Sequence, residues 1–275
     1  MNVYISVDME GCAGVVNADQ CTKTGVDYPL ARRWMTGEAN AAALGAFDAG
    51  ATRVLVNDSH GDMANLLLDD MDPRVSVISG SLKRRSMVAG IEERFDVALF
   101  VGYHAGASSL HGVLDHTYYG RVVANVRVNG TTLSETGLNA LVAGAHGTPV
   151  GLVTGDSTTC AQAREQLGEV ETVAVKSALS RYAAESLTPA AACERIRAAA
   201  RRVCEQRARL KPFVIEPPLM LEVTTLNSGM ADGAELLPGV ERLAGTWLRY
   251  EARDPETLLQ ALRAITVLGA ATIPA

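Results

Sequence analysis

At 275 residues, 48% hydrophobic and only 20% charged, the chain holds the material for one large α/β domain or two modest ones, and disorder is excluded. A net charge of -6 with a pI near 5.4 argues against nucleic acid or an anionic membrane as partner. Five cysteines (Cys12, Cys21, Cys160, Cys193, Cys204) form no C-x-x-C pair and are odd in number, which suits reduced thiols better than a disulfide framework or a structural zinc site. With no basic, apolar leader at the start and no run of membrane-spanning length, the expectation is a soluble cytoplasmic protein.

Val3 to Val7 reads as a short buried strand that delivers Asp8 and Glu10, two carboxylates two residues apart, followed at once by Gly11. Extended geometry would put both carboxylates on one side, where their repulsion calls for a cation between them. The alanine-rich stretch from Tyr28 to Gly50 predicts a helix. Arg53 to Val56 predicts a second buried strand running into Asn57-Asp58-Ser59-His60-Gly61, and strand–helix–strand order implies a parallel pair. Arg74 to Ser79 and Asp96 to Gly102 supply two more strands, the latter ending at Tyr103-His104. Three strand ends thereby place Asp8, Glu10, Asp58, His60 and His104 on one rim, where open parallel sheets bind ligands.

Arg121 to Val128 alternates as a strand, Asn129-Gly130 is a hairpin turn, and Thr131 to Leu133 begins the return. Glu135 opens a helix to about Gly147, with Ser134 as its N-cap. Strands at Val150 to Thr154 and Thr172 to Val175 flank a helix from Thr158 to Leu167. A long helix runs from Pro189 to about Leu210, and its Arg-rich face reads as solvated. After the prolines at 212 to 218 come strands at Leu219 to Thr225 and Thr246 to Ala252, then a terminal helix from Asp254-Pro255. The expected fold is α/β: a mainly parallel central sheet flanked by helices, with a β-hairpin insertion and a C-terminal α/β portion. Residues 1–211 would form the core carrying the site, and 212–275 a second portion packed on it as one unit.

Asp8, Glu10, His60, His104 and Glu135 together offer three carboxylates and two imidazoles, enough for two divalent cations sharing one bridging carboxylate. Nitrogen and oxygen ligands without thiolate suit zinc, and also manganese, cobalt or iron. Such a pair of cations activates water and polarises a carbonyl or phosphoryl oxygen, so the expected chemistry is hydrolysis. Each residue alone has a plainer explanation: a turn histidine for His60, a core histidine for His104, helix-dipole compensation for Glu135. His111 and His116, in the loop after His104, offer a general acid or base, while His146 reads as a helix cap.

Four blocks, Ser6-Val7-Asp8-Met9-Glu10-Gly11, Val56-Asn57-Asp58-Ser59-His60, Gly102-Tyr103-His104-Ala105 and Glu135-Thr136-Gly137-Leu138-Asn139-Ala140, resemble the DppA-type D-aminopeptidase family in order and spacing. Weaker similarity continues through Lys176 to Arg181 and Leu237-Pro238-Gly239. The resemblance implies a binuclear zinc aminopeptidase of α/β fold in a ring-shaped homo-oligomer, a decamer, that removes an N-terminal residue from short peptides, D-amino acids in the best-known case. It also implies that Asp8 bridges the metals, that Glu10 and His60 complete one site and His104 and Glu135 the other, and that His116 is the catalytic histidine.

Two rivals come from other classes. Asp8-Met9-Glu10-Gly11 with Gly155-Asp156-Ser157 loosely resembles the acidic motifs of haloacid-dehalogenase-like magnesium phosphatases, although that reading leaves His60 and His104 unused. The other is a non-catalytic metal- or peptide-binding scaffold.

Overall fold

The computed structural model describes residues 1–273. β1 (Asn2–Val7) leads through a polar loop to α1 (Tyr28–Asp48) and back to β2 (Arg53–Asp58). β3 (Val75–Ile78) and β4 (Val97–Val101) follow, then the hairpin β5 (Val123–Val128) and β6 (Thr131–Thr132). α2 (Glu135–Ala145), β7 (Val150–Asp156), α3 (Ser157–Leu167) and β8 (Glu171–Ser180) come next. β9 (Ala183–Ser186) and α4 (Pro189–Gln206) precede β10 (Leu219–Thr225), α5 (Ser228–Ala234), β11 (Val240–Ala244), β12 (Trp247–Ala252) and α6 (Pro255–Ala270).

Seven strands form the main sheet in the order β3-β2-β1-β4-β7-β8-β9, parallel except for the edge strand β9. Hydrophobic alternation along β1 explains the layering. Val3, Ile5 and Val7 pack with Val54, Val56, Leu99 and the inner faces of α1 and α4. Tyr4 faces the other way with Leu55, Phe100 and residues of α2. The polar side of α4 is solvated and tied by ion pairs, Arg197 to Asp48 and Arg202 to Glu171.

A second, antiparallel sheet has the order β11-β12-β10-β5-β6. The hairpin around Asn129-Gly130, both at positive φ as a tight hairpin turn requires, supplies two of its strands by pairing β5 with β10. This sheet packs under α6 around Val126, Leu221, Leu248 and Leu262.

Three elements lie beyond the sequence expectations: β9, α5 and β11. Ser134 occupies the N-cap position of α2, but its hydroxyl donates to Gln166 Oε1 at 3.0 Å and makes no cap bond to the helix. Extended geometry stops at Val7, because Met9 N donates to the Asp8 carboxylate and Cys12 N to the Met9 carbonyl, turning the chain at Glu10.

Candidate metal centre

The strands β2, β1 and β4 lie side by side and end level, with Val7 opposite both Asp58 and Val101. The ladder continues past them through Ser59 N to Val7 O at 2.9 Å and Asp8 N to Val101 O at 2.8 Å. Gly11 then donates to the Gly102 carbonyl at 2.8 Å. A Cβ on Gly11 would fall 1.8 Å from the Tyr103 carbonyl oxygen, so only glycine allows this approach.

This crossing of loops brings Asp8, Glu10, His60, His104, Glu135 and His116 together. Although the chain turns at Glu10, both carboxylates meet one imidazole: His60 Nδ1 is 3.2 Å from Asp8 Oδ1 and 2.9 Å from Glu10 Oε2. His60 Nε2 faces the Cys21 carbonyl at 2.8 Å, and because a carbonyl only accepts, that nitrogen carries the proton. His104 is oriented the other way round. Its Nδ1 donates to the Ala105 carbonyl at 2.9 Å, leaving Nε2 3.5 Å from Asp8 Oδ2 and 3.3 Å from Glu135 Oε1. That buried Nε2 makes no well-aligned hydrogen bond, an unsatisfied donor atom aimed into a cluster of carboxylates. Asp8 therefore presents one oxygen to each histidine.

Glu135 is the first residue of α2, where the helix dipole favours a negative charge, and it also accepts the Tyr118 backbone NH at 2.6 Å. His116 rides on a loop with positive φ at Ser108, His111, Leu114 and Tyr118, strain that the surrounding structure over-determines. Asp115 pairs with Arg181, Asp156 Oδ2 accepts Val113 N at 2.6 Å, and His116 N donates to the Ala105 carbonyl at 3.2 Å. His116 Nδ1 donates to the Leu114 carbonyl at 2.9 Å, so its Nε2 faces Glu135 Oε1, 3.9 Å away.

The electrostatics are those of a cation site. Burial and the neighbouring Glu10 carboxylate raise Asp8 to about 7. Burial alone would raise Glu10, but His60 beside it holds it well below the ordinary carboxylate range. Burial would depress His104, yet Glu135 and Asp8 hold it up at about 10. His60 is raised in the same way, against its burial, by Glu10 and Asp8. Protons on these two imidazoles thus stand in for positive charge among three carboxylates. The donor set of two imidazole nitrogens and three carboxylates, with an orphaned His104 Nε2, fits divalent cations of the zinc type.

Cys21 escaped the sequence reading as a neighbour of the site. The Cys21 Sγ lies within 4.8 Å of ligand atoms of Glu10 and His60; it sits in a polar loop with no periodic or spacing signal. Asp58, on the rim, holds the loop after His60 by accepting Asn65 N and Leu66 N. Beneath the site, Ser6 Oγ meets Ser59 Oγ and Tyr103 OH, each at 2.7 Å, in a buried polar network that reaches α2 through Asn139. His111 is exposed on the surface, and His146 closes α2 and contacts Glu256 Oε1 at 2.8 Å.

The floor of carboxylates and imidazoles opens into a cavity of about 350 Å³ walled by Tyr118, Tyr119, Met63, Met87 and, from α6, Arg263 and Val267. Residues 1–264 match the peptidase family described as D-aminopeptidase. The chain belongs to the D-aminopeptidase family. It is 37% identical over 274 residues to a D-aminopeptidase of Bacillus subtilis (strain 168), covering 99% of each chain. A solved structure, the Zn-dependent D-aminopeptidase DppA from Bacillus subtilis, described as a self-compartmentalizing protease, superimposes with a TM-score of 0.96 at 36% identity over 100% of both chains. Membership in the D-aminopeptidase family disfavours the phosphatase alternative. Asp156, which that alternative needs in the site, instead caps α3 by accepting Thr159 N at 2.7 Å.

Among the described residues, no helix is long and apolar enough to cross a membrane.

Proposed function

We propose that this chain is a zinc-dependent aminopeptidase that releases the N-terminal residue, a D-amino acid by preference, from short peptides. One observation carries the reading: Asp8 offers Oδ1 to His60 and Oδ2 to His104, each imidazole nitrogen backed by a carbonyl behind its other ring nitrogen. Asp8 would bridge two cations, with Glu10 and His60 completing one site and His104 and Glu135 the other. Bound there, two zinc ions would supply an activated water and polarise the scissile carbonyl. Manganese or cobalt would suit the same donors.

His116 is the group left to handle protons. Burial and the charge on His104 lower its pKa, so it is neutral at neutral pH with Nε2 open to the cavity. It can take a proton there and return it to the departing amine. Tyr118 and Tyr119 close the cavity beside it.

The assembly reading rests on the structural relative, which is described as self-compartmentalizing: a ring of identical chains, ten by family resemblance. A cytoplasmic location is supported by five cysteines that are all free of disulfides. Residues 212–275 would work as one unit with the 1–211 core, supported by the pairing of β5 with β10 and by the α6 wall of the cavity.

The deciding experiment is amino-acid release from matched D-alanyl and L-alanyl dipeptides by zinc-loaded, chelated and zinc-restored protein. Release from the D-peptide that disappears with chelator and returns with zinc is the expected result. A metal-bound protein that cleaves neither peptide would instead support the scaffold alternative.

A further inference from the structure

The cavity above the carboxylate floor has one wall of opposite sign. Arg263, on the inner face of α6, lines it together with Thr266 and Val267. Its Nη1 donates to the Lys83 carbonyl, which pins the half-buried Arg263 and is its one side-chain hydrogen bond among the described residues. Beside it, the Lys83 ammonium is held by Asn57 Oδ1 and the Asp58 carbonyl, neither of which is an anion. Among the described residues, no carboxylate forms an ion pair with either cation. The nearby Glu256 is taken by Arg85 and His146. Burial and the neighbouring Arg263 disfavour the charge on Lys83, the Asp58 carboxylate offsets only part of this, and an anion against the two cations relieves the rest.

A short peptide is itself a molecule with an amine at one end and a carboxylate at the other. With the reacting end at the floor, the only anionic group it must place is its C-terminal carboxylate. We propose that Arg263 receives that carboxylate through its free N–H groups, and that the enzyme is thereby selective for short peptides with a free C-terminus. This rests on the peptidase reading and deepens it. A planar guanidinium matches a carboxylate in two-point geometry, which favours Arg263 over the ammonium of Lys83 for direct contact. A cavity of about 350 Å³ is at the small end for ligand sites, which fits a dipeptide or tripeptide.

A second cleft, which shares Glu10, Cys21 and His116 with the first, is lined by Arg121 and Arg181. Arg181 is committed to Asp115, and Arg121 is exposed to water. Neither has the desolvated, unpartnered character of Arg263.

The test compares D-alanyl-D-alanine with D-alanyl-D-alaninamide on the zinc-loaded wild type, Arg263→Met, Arg263→Lys and Arg121→Met. The wild type should favour the free acid by about tenfold to a hundredfold in KM, the range of a charge-assisted hydrogen bond. Arg263→Met should bring the two substrates to parity, Arg263→Lys should keep part of the preference, and Arg121→Met should keep all of it. Because the readout is a ratio, a lower yield of folded variant leaves it intact. A preference that survives Arg263→Met, or is lost in Arg121→Met instead, overturns the assignment. Calorimetric binding of the same two ligands separates this result from failure of the peptidase reading: a protein that cleaves neither should still bind the acid more tightly than the amide, and equal binding by wild type also overturns it.

Discussion

The rings of His104 and His116 lie stacked, with centroids 3.9 Å apart and planes 13° from parallel. Two imidazoles this close cannot both carry a proton cheaply. The nearby carboxylates fix which one does, so His104 is held charged in the metal-free protein and His116 neutral. The two rings divide within one contact: His104 turns Nε2 to Asp8 and Glu135, at 3.5 and 3.3 Å, while His116 lines the cavity with Nε2 farther from Glu135, at 3.9 Å.

That division predicts opposite behaviour of two alanine variants. His104→Ala should lose bound metal, read by elemental analysis, with the fold largely retained. His116→Ala should keep its metal and lose turnover by about a hundredfold to ten-thousandfold. Unchanged metal in the first variant, or full activity in the second, would reverse the assignment of that residue.

Metal binding should release protons. His104 is held up at about 10 and Asp8 at about 7 in the metal-free site, and both must be deprotonated to act as ligands. Zinc affinity should therefore climb with pH from about 6 towards 10. Folding stability of the metal-free protein has the opposite sign. A histidine raised in the folded state contributes fully below its unfolded value of about 6.5, and that contribution is lost as pH rises through 10. Calorimetry in buffers of different ionisation enthalpy measures the protons directly; zinc binding without proton release would contradict the charge arrangement.

Gly11→Ala should destroy the site from outside the ligand set. The added Cβ would strike the Tyr103 carbonyl oxygen and the Gly102 backbone, none of which is a flexible side-chain end. The loops after β1 and β4 must then separate, moving Asp8 relative to His104. We expect poor zinc retention together with a lowered melting temperature; a variant with native zinc content would show that the loops have slack.

Much of this was legible in the sequence for physical reasons. β1, β2 and β4 are unbroken apolar runs bounded by polar loops, and parallel strand ends gather on one rim whatever the details of the loops. What escaped depended on long-range partners. β11 has Val240 as its one strong strand former, too short a signal to read locally, and it is held by pairing with β12. The hairpin 123–132 looked like an insertion on the core, but its pairing partner β10 lies about ninety residues later, information no local pattern carries. Cys21 and Arg263 reach the site from a turn and from a helix face, where neither spacing nor composition marks them.

Lys176 tests whether the carboxylate loop is held from behind. It is buried within β8, between β7 and β9, and its ammonium donates to three carbonyls, those of Glu10, Cys12 and Val15. Lys176→Met keeps the length of the side chain and removes all three donors. Several buried carbonyls left unpaired should cost about 3 kcal/mol or more, read by denaturant titration. Zinc affinity should fall as well, because Glu10 loses the contact that fixes its backbone. A variant that is destabilised but binds zinc as tightly as wild type would make Lys176 a fold residue only.

Glu38 holds the same loop from α1. Its side chain is fully buried in α1, where Oε1 accepts the Ala13 NH at 2.7 Å and Oε2 has no partner. Burial raises its pKa to about 7, while the Ala13 NH and Lys176 oppose the shift. The sign follows from linkage: a carboxyl raised in the folded state favours folding while protonated and opposes it once ionised, so stability is lost as pH rises from about 4.3 to 7. Glu38→Gln keeps the acceptor for Ala13 and cannot ionise. Its stability relative to wild type should therefore improve with pH, by about 3 kcal/mol between pH 4 and pH 8. The competing possibility is that ionised Glu38 pairs productively with Lys176. In that case the glutamine variant would lose ground at pH 8, and the pH dependence of the difference, measured by paired denaturant titrations, would have the opposite slope.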